Sequence, residues 1–259
     1  MSFIAENIKV ILCDIWGVIH NGVHLFDGVL DFLNYCKKNN IKVVLFSNAP
    51  RRAQTVKDFL LNKFNLSSDL YYDIITSGEV FVNTKKDLFK NTKCFYIGED
   101  KDLSMIREIS AVQTNNTSEA DFALIVGLYC NKNNENLDNL LQELKNRNVI
   151  AHCPNPDLKV ITNGIEIKCA GFIGKKYADI GGKVMWYGKP YKEIYQYASD
   201  KVQCSKDEIL AIGDSLNNDI AGANGFGIKS VLILTGNDKK EDILDHKPTL
   251  IVDNICELI

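Results

Sequence analysis

Short runs of consecutive apolar residues recur along the chain, and several of them end at a polar residue. Runs of this length without polar alternation are typical of strands that are buried on both faces of a sheet. Apolar residues at helical spacing follow the first two runs, over residues 28–38 and 51–62, and predict a helix after each strand. Strands that alternate with helices indicate an α/β fold with parallel strands and right-handed crossovers. The four runs span residues 9–13, 41–46, 184–188 and 209–213.

A second group of elements follows the first two strands. Its predicted strands and helices make a small α/β unit of their own, and the chain is expected to return to the first unit near Val184. Because 259 residues exceed the usual size of a single hydrophobic core, two domains are expected. We predict a core of residues 1–77 and 185–259, with residues 78–184 inserted as the second domain. The predicted elements of the insertion are strands 95–98, 122–127 and 149–152 and helices 101–109 and 135–146.

Residues with reactive or metal-binding side chains follow the four apolar runs. In open parallel sheets, ligands bind beyond the carboxyl ends of the strands, so these residues are expected to meet at one edge. A carboxylate nucleophile, a hydroxyl with free amides, a lysine and an acidic pair are what magnesium-assisted attack on phosphorus requires. In chain order the residues are Asp14, Ser47 with Asn48, Lys189 before Pro190, and Asp214 with Asp219.

With these residues in this order, the chain resembles the haloacid dehalogenase superfamily of aspartyl-nucleophile hydrolases. The long interval from Ser47 to Lys189 and the segment Asn155-Pro156-Asp157 resemble its class IIA branch. That branch, which is p-nitrophenyl phosphatase-like, includes nucleotide, sugar and glycolate phosphate phosphatases. The resemblance implies a Rossmann-like, doubly wound parallel-sheet core with an inserted α/β cap domain of class C2a type, which closes over the site and selects the substrate.

The resemblance also implies roles for individual residues in a phosphatase that cleaves a small phosphate monoester. Asp14 attacks phosphorus and forms an aspartyl-phosphate, and the short turn at Asn21-Gly22 forms a flap over it. Asp219 either contacts the metal through water or orients the surroundings of Asp214. The implied catalytic residues are Asp14, Lys189 and Ser47. The implied substrate-binding residues are Ser47, Asn48, Asn155 and Lys189. The implied Mg²⁺ ligands are Asp14, the carbonyl of Trp16, Asp214 and Asp219.

One position departs from the phosphatase pattern of the superfamily. The residue two after the nucleophile is usually a second Asp, which protonates the leaving oxygen and then activates water. Here it is Trp16, whose indole cannot transfer that proton, although its backbone can still offer a carbonyl to a metal.

Three interpretations of Trp16 follow. In the first, the enzyme is a phosphatase that is restricted to good leaving groups or that recruits another acid such as His20. In the second, Asp14 attacks at a carbon–halogen or carbon–phosphorus bond instead. In the third, the chain is a catalytically silent protein that binds a phosphorylated ligand or a regulatory partner. A buried lysine among carboxylates has no physical reason to persist in an unused site, which favours an enzyme.

The composition of the chain limits the classes of partner that it can bind. A net charge of −3 and a pI near 5.9 give no electrostatic footprint for nucleic acid, and no apolar run is long enough to span a bilayer. The first residues lack the features of a signal peptide, so we expect a cytoplasmic location. The expected partner is a small phosphorylated metabolite. Relatives in the branch often pair through their caps, so the resemblance also allows a homodimer through the cap.

Overall fold

A computed structural model of the chain describes residue 4 and residues 7–128, 137–162, 165–236, 238–239, 241 and 245–259. In this part of the chain, the strands form a six-stranded, a five-stranded and a two-stranded sheet. The strands are β1 (Val10–Cys13), β2 (Lys42–Ser47), β3 (Asp73–Thr76), β4 (Lys93–Ile97), β5 (Val112–Thr114), β6 (Phe122–Ile125), β7 (Ile150–Cys153), β8 (Lys159–Thr162), β9 (Ile165–Lys168), β10 (Val184–Trp186), β11 (Ile209–Gly213), β12 (Lys229–Ile233) and β13 (Leu250–Val252). The α-helices are α1 (Val29–Lys38), α2 (Ala53–Phe64), α3 (Ser77–Lys85), α4 (Ser104–Glu108), α5 (Leu137–Asn146), α6 (Ala170–Asp179), α7 (Lys192–Val202) and α8 (Ala221–Phe226).

The six-stranded sheet is the core sheet and is parallel throughout, in the order β13-β12-β11-β1-β2-β3. β1 therefore lies between β2 and β11, and the carboxyl ends of all three strands lie at the same edge. The predicted strands at 9–13, 41–46 and 209–213 and the helices after the first two are confirmed. So is the predicted α/β class with a parallel core sheet.

Packing on both faces of the core sheet explains why its strands read as unbroken apolar runs. Along β1, Val10 and Leu12 pack in one hydrophobic cluster, whereas Ile11 and Cys13 pack in another. The first cluster includes residues of α7 and α8, and the second includes residues of α1 and α2. Each strand residue therefore faces a helix layer, and neither face of the strand needs polar residues.

The five-stranded sheet is also parallel, in the order β10-β7-β6-β4-β5, and we call the unit that contains it the cap. The predicted cap strands and helices correspond to β4, β6, β7, α4 and α5, and residues 135 and 136 of the last predicted helix lie outside the described residues. α4 is shorter than predicted, because a 3-10 turn at Asp100–Asp102 precedes it.

The prediction that residues 184–188 form a core strand is wrong. β10 pairs in parallel with β7, so it is an edge strand of the cap sheet. The predicted crossing at residue 185 therefore falls inside a cap strand, and the chain enters the core only after Trp186. A short apolar run indicates a strand but contains no information about which sheet it joins, and this is why the sequence misplaced it.

The antiparallel hairpin of β8 and β9 was not predicted. It follows β7 in the cap and reaches the core, since the Trp16 Nε1–H donates to the Ile161 carbonyl at 3.0 Å. None of the helices in the described residues has both the length and the apolar content that crossing a membrane requires.

Candidate active site

Asp14 lies at the carboxyl end of β1, as predicted. Its backbone N–H donates to the Ile212 carbonyl at 2.8 Å, so the strand pairing with β11 continues up to this residue. The residue is 8% exposed, and its Oδ1 accepts the Ile15 N–H at 2.8 Å. The sheet therefore holds a buried carboxylate at a fixed position at its edge.

A tight turn after β11 brings two more carboxylates to the same edge. Asp214 follows Gly213 directly, and Asp219 lies on a single π-helical turn over Leu216–Ile220. The Ser215 N–H donates to Asp219 Oδ2 at 3.2 Å, which turns this carboxylate back toward the strand end. A Cβ at Gly213 would lie 2.0 Å from the Asp219 Cγ, so the turn requires glycine there.

Lys189 joins the two carboxylate groups. Its Nζ lies 2.7 Å from Asp14 Oδ1 and 2.7 Å from Asp219 Oδ1, and it also donates to the Phe46 carbonyl at 3.1 Å. The side chain is 2% exposed. Asn48 fixes the backbone of this residue from both sides: its Oδ1 accepts the Lys189 N–H at 2.6 Å and its Nδ2 donates to the Lys189 carbonyl at 3.0 Å.

The charges in this cluster shift the pKa values of its members. Burial lowers the pKa of Lys189, but the charges of Asp14 and Asp219 outweigh burial and hold it well above its usual value. Burial raises the pKa of Asp14, and the lysine charge opposes that rise. Burial also raises the pKa of Asp219, to about 6. One ammonium thus serves two carboxylates, and Asp214 adds a third carboxylate beside them.

The three carboxylates fit a divalent cation. Asp14, Asp214 and Asp219 are buried, and each offers an oxygen within 4.8 Å of the others. Asp214 is 1% exposed, and a Cβ at Gly17 or Gly236 would lie 2.2 or 1.9 Å from its Oδ2, so two glycines make room for it. An all-oxygen carboxylate set is the donor set that Mg²⁺ and Ca²⁺ prefer.

A cavity of about 180 Å³ lies against this cluster and separates two walls. The cap wall consists of residues 156–160, which include the start of β8. The core wall includes residues at or after the carboxyl ends of strands: Asp14, Trp16, Ser47, Asn48, Lys189, Asp214 and Asp219. Of the residues predicted for the site, all except Asn155 line the cavity.

Asp157 reaches the cavity where Asn155 does not. The Asn155 side-chain oxygen accepts the Asp157 N–H at 3.1 Å, so Asn155 shapes the turn. The Asp157 carboxylate is half-buried, and its Oδ1 accepts from Asn48 Nδ2 and from Asn218 Nδ2, each at 2.8 Å. The sequence indicates Asn155, and not Asp157, as the substrate contact. The signal for Asp157 in the sequence is its place in the segment Asn155-Pro156-Asp157.

Trp16 lies at the rim of the cavity, and His20 lies beside the cavity. The Trp16 indole lies against Gly22, where a Cβ would come within 2.5 Å of the ring, and its Nε1–H is bonded to β8. His20 is 2% exposed, its ring stacks on Phe64 at 4.7 Å, and its Nδ1 accepts the Gly22 N–H at 3.0 Å. Burial lowers the pKa of His20 to about 4, so it is neutral at pH 7. It is not among the residues that line the cavity.

Known proteins resemble this chain over nearly its whole length. The haloacid dehalogenase-like hydrolase model matches residues 11–111, and a HAD-hydrolase-like model matches residues 186–258. The sugar-phosphatase AraL of Bacillus subtilis (strain 168) is 26% identical over 96% of this chain and 91% of its own. The ribonucleotide monophosphatase NagD of Escherichia coli (strain K12) is 25% identical over 97% of this chain and 98% of its own.

A solved structure gives the same result for the fold. A haloacid dehalogenase-like family hydrolase from Brucella suis 1330 superposes with a TM-score of 0.85 at 26% identity and covers 96% of both chains. The agreement therefore extends over nearly the whole of both chains. The chain therefore belongs to the haloacid dehalogenase-like hydrolases, within their class IIA branch.

Proposed function

We propose that the chain is a magnesium-dependent phosphatase that cleaves a small phosphate monoester through an aspartyl-phosphate at Asp14. One observation carries this proposal: the ammonium of Lys189 lies 2.7 Å from both Asp14 and Asp219, at the edge of the core sheet and beside a cavity. A nucleophilic carboxylate must stay ionised, and a fixed cation beside it serves that end. The names of two relatives, a sugar-phosphatase and a ribonucleotide monophosphatase, support the same reaction class.

The residues of the core wall divide the work. Asp14 attacks phosphorus in line, while Lys189 offers its positive charge to the phosphoryl oxygens. The Ser47 hydroxyl and the Asn48 backbone N–H are placed to hydrogen-bond the transferred group, since both lie at the carboxyl end of β2. Asp14, Asp214 and the Trp16 carbonyl would hold Mg²⁺, with Asp219 beside them, and the bound ion would offset negative charge on the phosphoryl group.

The substrate is inferred to be compact. Ligand pockets for drug-sized molecules are commonly about 300–1,000 Å³, and this cavity is smaller at about 180 Å³. The phosphoryl group would face the core wall, and the rest of a small phosphorylated metabolite would face residues 156–160. We infer that these cap residues select the substrate.

The test is phosphate release from p-nitrophenyl phosphate and a panel of metabolite phosphates, with Mg²⁺ and with a chelator. Wild type should release phosphate only with the metal. Asp14→Asn should lower the rate by about 10³-fold or more, because an amide is not a nucleophile for this step. Asp31→Asn, which changes an exposed aspartate of α1, is the matched control and should keep the wild-type rate.

Two results would contradict this function. Substantial turnover by Asp14→Asn would exclude the covalent mechanism. No release from any phosphate by wild type would favour displacement at another bond or a silent binding protein.

A further inference from the structure

The leaving oxygen of an unactivated phosphate ester needs a proton, and in the proposed reaction the core-wall carboxylates Asp14, Asp214 and Asp219 already serve as the nucleophile and surround the metal. Trp16 occupies the position of the usual acid, and its one N–H is already bonded to the Ile161 carbonyl. An indole N–H is a hydrogen-bond donor but not a proton source at neutral pH. His20 is neutral, is buried against Phe64 and lies outside the cavity lining, so it does not fill the gap.

The geometry of displacement indicates where an acid must stand. The attacking and leaving oxygens lie on opposite sides of phosphorus in an in-line reaction. Since Asp14 attacks from the core wall, the leaving oxygen points to the cap wall. Only Asp157 and Lys159 among residues 156–160 have side chains that carry a transferable proton. Lys159 is paired with Glu166 at 2.8 Å, and both side chains are about half exposed, at 52% and 54%.

The hydrogen bonds of Asp157 suit an acid. Both core amides, Asn48 Nδ2 and Asn218 Nδ2, donate to the same oxygen, Oδ1, each at 2.8 Å. A protonated carboxyl needs one accepting oxygen and carries its proton on the other, so this arrangement is compatible with a proton on Oδ2. The two amides also fix the carboxyl between β2 and the turn after β11.

The charges around Asp157 act in both directions. Burial raises its pKa above the usual value, the Asn48 hydrogen bond and the Lys189 charge lower it, and the Asp219 charge raises it. Asp157 in turn raises the pKa of Asp14. Other titratable groups also lie near Asp157. Lys159, Asp214 and Asp238 line the cavity, and the Asp157 charge raises the pKa of Cys153 and of Cys169.

We propose that Asp157, supplied by the cap, is the catalytic acid and base of the reaction. This inference rests on the proposed phosphatase function. In the first step, Asp14 forms a bond to phosphorus, the ester P–O bond breaks, and the Asp157 carboxyl gives its proton to the leaving oxygen, which departs as an alcohol. In the second step, water attacks phosphorus and gives a proton to the Asp157 carboxylate. The acyl-phosphate bond breaks, and inorganic phosphate, the Asp14 carboxylate and the protonated Asp157 are formed.

The decisive variant is Asp157→Asn, which keeps an accepting oxygen for Asn48 and Asn218 but cannot carry the proton. Its effect should depend on the leaving group. For the alkyl phosphate of the panel that wild type cleaves fastest, kcat/KM should fall by about 10²–10⁴-fold. For p-nitrophenyl phosphate, whose leaving group departs without a proton, kcat/KM should fall by less than about tenfold.

The second step offers an independent readout. With p-nitrophenyl phosphate, Asp157→Asn should give a burst of nitrophenolate, and acid quenching should trap more aspartyl-phosphate than in wild type. A purely structural role would slow the formation of this intermediate as well and would give no burst. Glu166→Gln removes a carboxylate from the hairpin that follows Asp157, outside the cavity, and it should leave both the substrate ratio and the trapped fraction unchanged.

A double variant connects Asp157 with Trp16. Trp16→Asp places a carboxyl at the usual acid position, so Trp16→Asp/Asp157→Asn should recover activity toward the alkyl phosphate relative to Asp157→Asn alone. Equal losses on alkyl and aryl phosphates in Asp157→Asn, without a burst, would overturn the assignment. So would a wild-type enzyme that cleaves aryl phosphates but no alkyl phosphate. No metal-dependent release from either class would instead contradict the proposed function itself.

Discussion

The two walls of the cavity are built in different ways. On the core wall, Lys189 and Asp214 are 2% and 1% exposed, and ion pairs of 2.7 Å hold the lysine between two carboxylates. On the cap wall, Leu158 is 48% exposed, and Lys159 forms an ion pair that is open to solvent. Buried charges must be paired, whereas exposed ones are hydrated and can change at little cost. The core wall is therefore suited to fixed chemistry, and the exposed positions of the cap wall are suited to recognition.

The walls are connected by a small number of polar contacts. Asn48 bonds both to the backbone of Lys189 and to Asp157, and Trp16 bonds to the hairpin of β8 and β9. A chemical group on the cap can therefore enter the site without becoming part of the core sheet.

The largest expected effect concerns the lysine of each wall. Lys189→Met leaves Asp14 and Asp219 buried without their cation and should lower the free energy of unfolding by about 3–5 kcal/mol. Lys159→Met removes an exposed pair and should leave the free energy of unfolding nearly unchanged. Urea unfolding at pH 7.5 with a chelator would measure both. Similar effects of the two variants would contradict the contrast between the walls.

The next effect concerns one histidine in the core and one in the cap. Burial lowers the pKa of His20 and of His152 from 6.5 to about 4, and the charges of Lys63 and Lys85, respectively, add to this. Between these pH values the unfolded chain binds a proton that the native chain does not. The free energy of unfolding should therefore fall as the pH drops from about 6.5 to about 4, by about 1.4 kcal/mol per pH unit for each histidine.

Single variants would separate the two contributions. His20→Gln and His152→Gln should each flatten this pH dependence by about one proton, whatever they do to stability at pH 7. Urea unfolding at pH 4.5, 5.5, 6.5 and 7.5 would give the slopes. An unchanged slope in either variant would mean that the histidine titrates alike in both states.

The smallest effect concerns the contact between Trp16 and the cap hairpin. Trp16→Phe keeps an aromatic ring at the rim but loses the bond to the Ile161 carbonyl, which is worth about 1 kcal/mol. The KM for p-nitrophenyl phosphate should rise about fivefold with little change in kcat. Trp186→Phe changes the other tryptophan, which lies in β10 away from the cavity, and should leave KM unchanged. A fivefold rise in both variants would exclude a specific role for the contact.

Most of the core wall was accessible from the sequence, because its residues lie at or shortly after the ends of apolar runs. Asp14 and Asp214 directly follow β1 and β11, so the local sequence pattern was sufficient to place them in the site. β10 was assigned to the wrong sheet, yet Lys189 still reaches the core, because the chain crosses between the sheets just before it. The cap wall gave no comparable signal, and Asp157 was concealed in a segment that is also typical of an ordinary turn.

The sequence alone therefore determined the α/β class, the central strands and the carboxylates at their ends, because these depend on residues that are neighbours in the chain. Only the tertiary structure decided which cap residues face them. Asn48 and Asp157 are 109 positions apart, and Trp16 and Ile161 are 145 positions apart. Contacts over such separations depend on how two domains pack against each other, and no local pattern of apolar and polar residues encodes that packing.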